Sequence, residues 1–121
     1  MDCMGQIDSI KADFKKCGKL LLAIGCETRQ NIITVLMGSC TGMRVGEITA
    51  KTHLSRPAVS HHMRVLLDCG LVSVDKQGTM NFYCLNMGDK LQNLFNLVGH
   101  IAQFKEALDV GLFSEEVVET C

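Results

Sequence analysis

The sequence predicts a mostly α fold with a small β-hairpin, and three observations lead to it. Apolar residues recur at steps of three and four over most of the chain. One stretch, LVSVDKQGTMNFYCLN, divides into two runs rich in Val, Phe and Tyr around a glycine, and the chain has one Pro and no Trp. With 121 residues there is room for one core, so residues 1–121 are expected to form a single domain. An apolar fraction of 47% beside a charged fraction of 21% is that of an ordinary globular protein, and only 5% aromatics argues against a β-sandwich.

About five helices are expected. Cys3, Ile7, Ile10, Phe14, Cys17, Leu21 and Ile24 form one apolar seam and predict a first helix within residues 1–24. Gly25 and Cys26 end it. A second helix follows from Glu27 to Met37 with Ile32, Ile33, Leu36 and Met37 as its apolar face, and GSCTG, Gly38 to Gly42, breaks the chain. Val45, Ile48, Thr49 and Thr52 suggest a short third helix, then a tight turn through His53 and Leu54.

Ser55 is placed to cap a fourth helix, and Pro57 falls where a missing N–H costs least, giving a helix within residues 55–68. Val59, Met63, Leu66 and Leu67 share its core side. Arg56, Ser60, His61, Arg64 and Asp68 fall largely on the other side. Cys69 and Gly70 close it. The hairpin then occupies residues 72–85, with Asp75, Lys76, Gln77 and Gly78 expected to separate its two strands. Leu91, Leu94, Phe95, Val98, Ile101, Ala102 and Leu108 return to helical spacing and predict a long last helix over residues 88–109, followed by the acidic tail SEEVVETC.

A short helix, a tight turn, a helix with an Arg/Ser/His face and then a hairpin is the element order of a winged helix-turn-helix, whose second helix enters the DNA major groove. Net charge, −1, gives no hint of such a partner by itself, but its distribution is uneven. Residues 44–76 carry a formal charge of about +2 and three of the four histidines, while residues 77–121 carry about −4.

The segments AIGCETRQNIITVLMG and VGEITAKTHLSRPAVSHHMRVLLDCGLVSVDKQGTMNFYCLN resemble the ArsR/SmtB family of bacterial winged-helix repressors. The residues that carry the resemblance are the run Ser55-x-Pro57-x-Val59-Ser60-x-His62 with its following apolar positions, the Gly70-Leu71-Val72 strand entry, and the Gly78 wing ending in Tyr83-x-Leu85. The resemblance implies a homodimer built by the first and last helices that binds double-stranded DNA at an imperfect inverted repeat. A metal, metalloid or redox effector would release it. Carried over by position, Arg56, Ser60, His61 and Arg64 would face the groove, with Arg56 pairing bidentately with guanine. Ser55 or the amides beside it would hold a phosphate, and Lys76, Gln77 and Thr79 would touch backbone from the wing tip. The plainer alternative is a solvated helix face and hairpin tip, which predicts the same fold.

Two effector sites of the family have counterparts that lack their ligands. Where thiolate sensors carry Cys-x-Cys before the recognition helix, this chain has Arg44 and Gly46. The zinc-type set on the last helix maps onto Met87 with Asp89 and His100 with Gln103. No metal site is therefore assigned. Seven cysteines remain, an odd number that cannot pair completely within one chain, and the charged N-terminus has no signal or membrane-spanning run, so a cytoplasmic protein with reduced thiols and no membrane partner is expected. Cys17, Cys26 and Cys40 form a candidate thiol site for a soft metal, a metalloid or an oxidant, Cys26 and Cys40 by coming close to each other or to a partner subunit. Each is otherwise a small packing residue.

The adjacent pair His61 and His62 points in two directions about 100° apart. His61 joins the groove face, while His62 is expected to pack or hydrogen-bond beneath the wing. An enzyme is not expected, because no cysteine has a readable base and orienting partner. A winged helix that binds proteins in place of DNA is the remaining alternative. Its mark would be an acidic recognition helix, whereas this one sets Arg56, His61, His62 and Arg64 against Asp68.

Overall fold

The computed structural model describes residues 3–111, apart from the side chain of Cys3. Within them the chain forms α1 (Cys3–Ile24), α2 (Glu27–Met37), α3 (Val45–Thr52), α4 (Arg56–Asp68), β1 (Val72–Gln77), β2 (Met80–Leu85) and α5 (Asp89–Asp109). This is the winged helix-turn-helix order that the sequence predicts. The tail SEEVVETC with Cys121, and the place of Cys3 on the first seam, lie outside the described residues. The described chain forms two compact units. One runs from Gly18 to Leu91, and the other joins the chain up to Cys17 with the chain from Gln92 onward.

In the central unit the joints between elements are satisfied by nearby groups. Gly25 donates to the Leu21 carbonyl at 3.0 Å, and the side chains of Arg29 and Gln30 reach back to the last carbonyls of α1, on Leu22, Ala23 and Ile24, at 3.2, 2.8 and 2.7 Å. These carbonyls would otherwise lack partners at a helix end. α2 buries Ile32, Ile33 and Leu36, but Met37, expected on the same face, is 58% exposed. The buried stripe centres on Ile32 and Leu36, and Met37 lies a further 100° around the last turn.

Gly42 takes φ +89°, and a β-carbon there would stand 2.5 Å from Cys84 Sγ. Only glycine lets this strand pass so close to the hairpin, where Met43 and Tyr83 exchange backbone hydrogen bonds of 3.0 and 2.7 Å. The start of α3 is thereby fixed against β2. His53 closes α3 in the left-handed region at φ 60°, supplying the tight turn. α4 then buries Val59, Met63 and Leu66 and ends in a Schellman motif, with Gly70 at φ +84° donating to Leu67 and Leu71 donating to Leu66.

The hairpin pairs Val72 with Leu85 through Gln77 with Met80. Asp75, Lys76 and Gln77 thus belong to β1, contrary to the expectation that they separate the strands. The connection is only Gly78 and Thr79, with positive φ at Gly78 alone, the pattern of a type II′ turn. These polar residues are tolerated in a strand because from Ser73 to Met80 every residue is exposed, so no buried face demands an apolar side chain.

The second unit pairs the first four turns of α1 with most of α5. Its buried residues include Cys17, Leu97 and Ala107, together with Asp13, whose carboxylate accepts a hydrogen bond from His100 Nδ1. The expected seams are displaced from what is buried. Phe14, Phe95, Val98 and Ile101 are exposed, whereas Leu97 and Ala107, absent from the expected face, are covered. Among the described residues no single helix is long and apolar enough to cross a membrane.

Candidate nucleic-acid interface

α4 has two chemically distinct sides because its apolar residues fall at i, i+4 and i+7. Val59, Met63 and Leu66 are buried, and Arg56, Ser60, His61 and Arg64 are exposed. The helix begins as the sequence requires. Ser55 Oγ accepts from the Ala58 N–H at 3.2 Å, the Ser55 carbonyl accepts from Val59 at 3.0 Å, and Pro57 has no N–H to offer. Of the amide cluster expected to hold a phosphate, the helix start therefore keeps two donors without a helical acceptor, the N–H groups of Ser55 and Arg56. The Ser55 hydroxyl retains its own hydrogen to donate.

The Arg56 side chain lies over α3. Its Nη2 is 3.3 Å from where a β-carbon on Gly46 would be, and Arg44, Gly46, Glu47 and Arg56 line a common hollow. On the wing, Lys76, Gln77 and Thr79 are all exposed. Lys76 pairs with Asn81 one step back from the tip, and Gln77 Nε2 donates to Asp75 at 3.1 Å.

The two histidines separate as their spacing predicts, with His61 exposed, His62 half-buried, and their rings edge-on at 5.4 Å. The partner of His62 is not beneath the wing. Its Nδ1 accepts from Arg29 Nη1 on α2 at 3.3 Å, and the same guanidinium donates to Leu22 and Ala23 at the end of α1. Arg29 thus ties α1, α2 and the recognition helix together. Burial first, then the Arg29 charge, then His61, hold the His62 pKa below its ordinary value, which favours the neutral imidazole that can accept. Nothing local in the sequence announces a contact across 33 positions.

The three candidate thiols differ in setting. Cys17 is buried on α1, and burial, reinforced by Asp13, pushes its pKa up. Cys26 is half-buried at the N-cap of α2, where the amide of Arg29 above all, with that of Thr28, draws its pKa down. Cys40 is exposed in the loop beyond α2. Cys26 and Cys40 flank opposite ends of an 11-residue helix, about 16 Å long at 1.5 Å per residue, so they do not meet within one chain. Cys69 Sγ donates to Leu66 at 3.3 Å, a buried packing thiol. Among the described residues no three Cys, His, Asp or Glu side chains are grouped to hold a metal ion. The positions of the family's ligand sets do not fit one either, since Arg44 and Gly46 offer no thiolate and Met87 and Gln103 offer neither an imidazole nor a carboxylate.

A family model described as bacterial regulatory protein, arsR family, matches residues 26–74, from the cap of α2 into β1. The chain is 30% identical over 88 residues to the HTH-type transcriptional regulator MJ1325 of Methanocaldococcus jannaschii, spanning 73% of this chain and 97% of that one. It is 31% identical over 84 residues to the arsenical resistance operon repressor of Staphylococcus aureus, spanning 67% and 79%. The chain belongs to the arsR family of bacterial regulatory proteins. This arsR-family protein is a DNA-binding transcriptional regulator. Among solved structures, the homodimeric winged helix-turn-helix DNA-binding domain Mb0332 of Mycobacterium bovis matches it with a TM-score of 0.59 at 24% identity, over 77% of this chain and 83% of that one, which shows a shared fold.

Proposed function

We propose that this arsR-family regulator is a homodimeric cytoplasmic repressor that binds an inverted repeat in double-stranded DNA and is released by a thiol-directed effector. The observation that carries the DNA reading is the two-sided α4, with Ser60, His61 and Arg64 exposed on the side opposite a buried apolar stripe. In that reading these three side chains meet base edges. Ser55 and Arg56 lie where the helix start meets the edge of the groove, and Lys76, Gln77 and Thr79 reach flanking backbone. A solvated helix face accounts less well for this pattern in a chain of this family.

The dimer reading rests on α5, where Phe95, Val98 and Ile101 are 62%, 57% and 43% exposed at successive steps of three. Such a row in an aqueous protein calls for a second apolar surface, and the structural relative Mb0332 is homodimeric. The first helix, within residues 1–24, and the last, within residues 88–109, would supply the dimer contacts. For the effector, Cys26 stands out among Cys17, Cys26 and Cys40, because its surroundings favour the reactive thiolate.

The test is a fluorescence-anisotropy titration of the reduced protein against a duplex from the region upstream of its own coding sequence, repeated with Zn(II), Cd(II), As(III) and a disulfide oxidant. Specific binding that one agent abolishes, and that Cys26→Ser makes insensitive to that agent, is the expected outcome. Absence of specific binding under every condition contradicts the repressor reading. Release that persists in Cys26→Ser removes Cys26 from it.

A further inference from the structure

Arg44 is not among the residues that the sequence assigned to DNA, yet the fold brings it beside one that is. It is the residue before α3, and Arg56 is the first residue of α4, so their shared hollow lies at the start of both helices of the helix-turn-helix. Both arginines are exposed, and neither guanidinium has an ion-pair partner among the described residues. Three other cations of the described chain are engaged, Lys19 with Asp68, Lys105 with Asp109, and Arg29 with two carbonyls and His62. The one acidic group on the rim, Glu47, is turned to the helix cap, where its Oε1 accepts from the Arg44 backbone N–H at 3.3 Å.

Gly46 forms the floor. With a β-carbon only 3.3 Å from Arg56 Nη2, any other residue would crowd the guanidinium that lies across it. With the Arg56 guanidinium lying over Gly46 and Arg44 lining the same hollow, the two side chains can offer several N–H donors to one tetrahedral oxyanion, a task for which Arg is better suited than Lys. In a docked helix-turn-helix the first helix crosses the DNA backbone while the start of the second enters the groove. A hollow at the start of both therefore meets a phosphate at the groove edge.

We infer that Arg44 and Arg56 together hold one phosphodiester of the DNA backbone in the hollow floored by Gly46. This rests on the reading of α4 as the DNA-reading helix and adds to it a sequence-independent anchor. Arg56 then grips the backbone in place of the bidentate guanine contact that the resemblance implies for it, and Arg64 with Ser60 and His61 is left to read bases. The Arg44 side chain takes no part in capping α3, which uses its backbone N–H and carbonyl, so substitution there leaves the helix start intact.

The experiment compares the wild type with Arg44→Ala and Arg44→Lys in full-length reduced protein. Anisotropy is read on the upstream duplex and on an unrelated duplex across a KCl series, and thermal melting checks the fold of each variant. Arg44→Ala leaves the phosphodiester to Arg56 alone, so both duplexes should be weakened by the same factor, with the slope of log K against log[salt] changing by less than the roughly 0.9 per protomer of a phosphate lost outright. Arg44→Lys should restore part of the affinity on both duplexes, since an ammonium still attracts a phosphate. Unchanged affinity in Arg44→Ala, or a loss confined to the upstream duplex, overturns the inference while leaving the DNA-binding reading intact. A wild type without salt-dependent DNA binding overturns both.

Discussion

Between Gly18 and Leu91, Ile32, Leu36, Ile48, Val59, Met63 and Leu66 are each at most 2% exposed, while Arg44, Arg56, Arg64 and Lys76 stand on the surface. In the unit made from the two ends of the chain fewer apolar residues are covered and a row of them on α5 is not. Phe14, Phe95, Val98 and Ile101 are 43% to 62% exposed, and the carboxylate of Asp13 is covered and joined to His100. The first unit closes a core within one chain, its exposed apolar residues such as Leu22 and Met37 standing apart from the arginine-bearing side of α4, and it presents cations at its surface. The second leaves apolar surface of the kind that a second copy covers.

The largest effect expected from breaking this contrast is in the central core. Leu66→Ala should cost about 2–5 kcal/mol of folding stability, read as a lowered midpoint in urea, because its site is closed on all sides. Phe95→Ala removes a side chain already exposed in the single chain, so it should leave the circular-dichroism spectrum unchanged. It should instead weaken the dimer by about 2 kcal/mol, roughly thirtyfold in the dissociation constant measured by sedimentation. Loss of fold in Phe95→Ala, or an unchanged dimer, would erase the distinction between the units. Next in size, Arg64→Ala should weaken operator binding by about 1–3 kcal/mol relative to an unrelated duplex, seen by anisotropy.

The smallest effect concerns the joint between Arg29 and His62. Burial and the Arg29 charge hold His62 below its ordinary pKa of 6.5, so on acidification the unfolded chain takes up the proton first. The stability contribution is complete above about pH 6.5 and is lost as the pH falls below that value toward the folded-state pKa. Urea midpoints from pH 8 to pH 5 should decline over that window. His62→Gln, whose side-chain carbonyl can accept from Arg29, should flatten this part of the decline.

Much of the central unit was legible because its signals are local. The Ser55 cap and Pro57 fixed the start of α4, and the 3.6-residue period placed Val59, Met63 and Leu66 inside. The strand ends were misjudged because Asp75, Lys76 and Gln77 read as a turn, and in an exposed hairpin nothing in the pattern of burial says otherwise. In the terminal unit the spacing points to Phe95 and passes over Leu97, since α5 has apolar residues on more than one side and periodicity does not say which side the same chain covers. What pairs across the fold was least legible. His62 with Arg29, Asp13 with His100, and Arg44 beside Arg56 depend on how the elements pack, which no spacing encodes.

The central claim is that α4 and the wing of two copies read one DNA site, and hydroxyl-radical footprinting on the region upstream of the protein's own coding sequence tests it most directly. The account predicts two protected patches about 34–36 Å apart along the duplex, related by an inverted repeat, and lost together in Arg64→Ala. A single unsymmetrical patch, uniform weak protection, or a pattern unchanged in Arg64→Ala would contradict it.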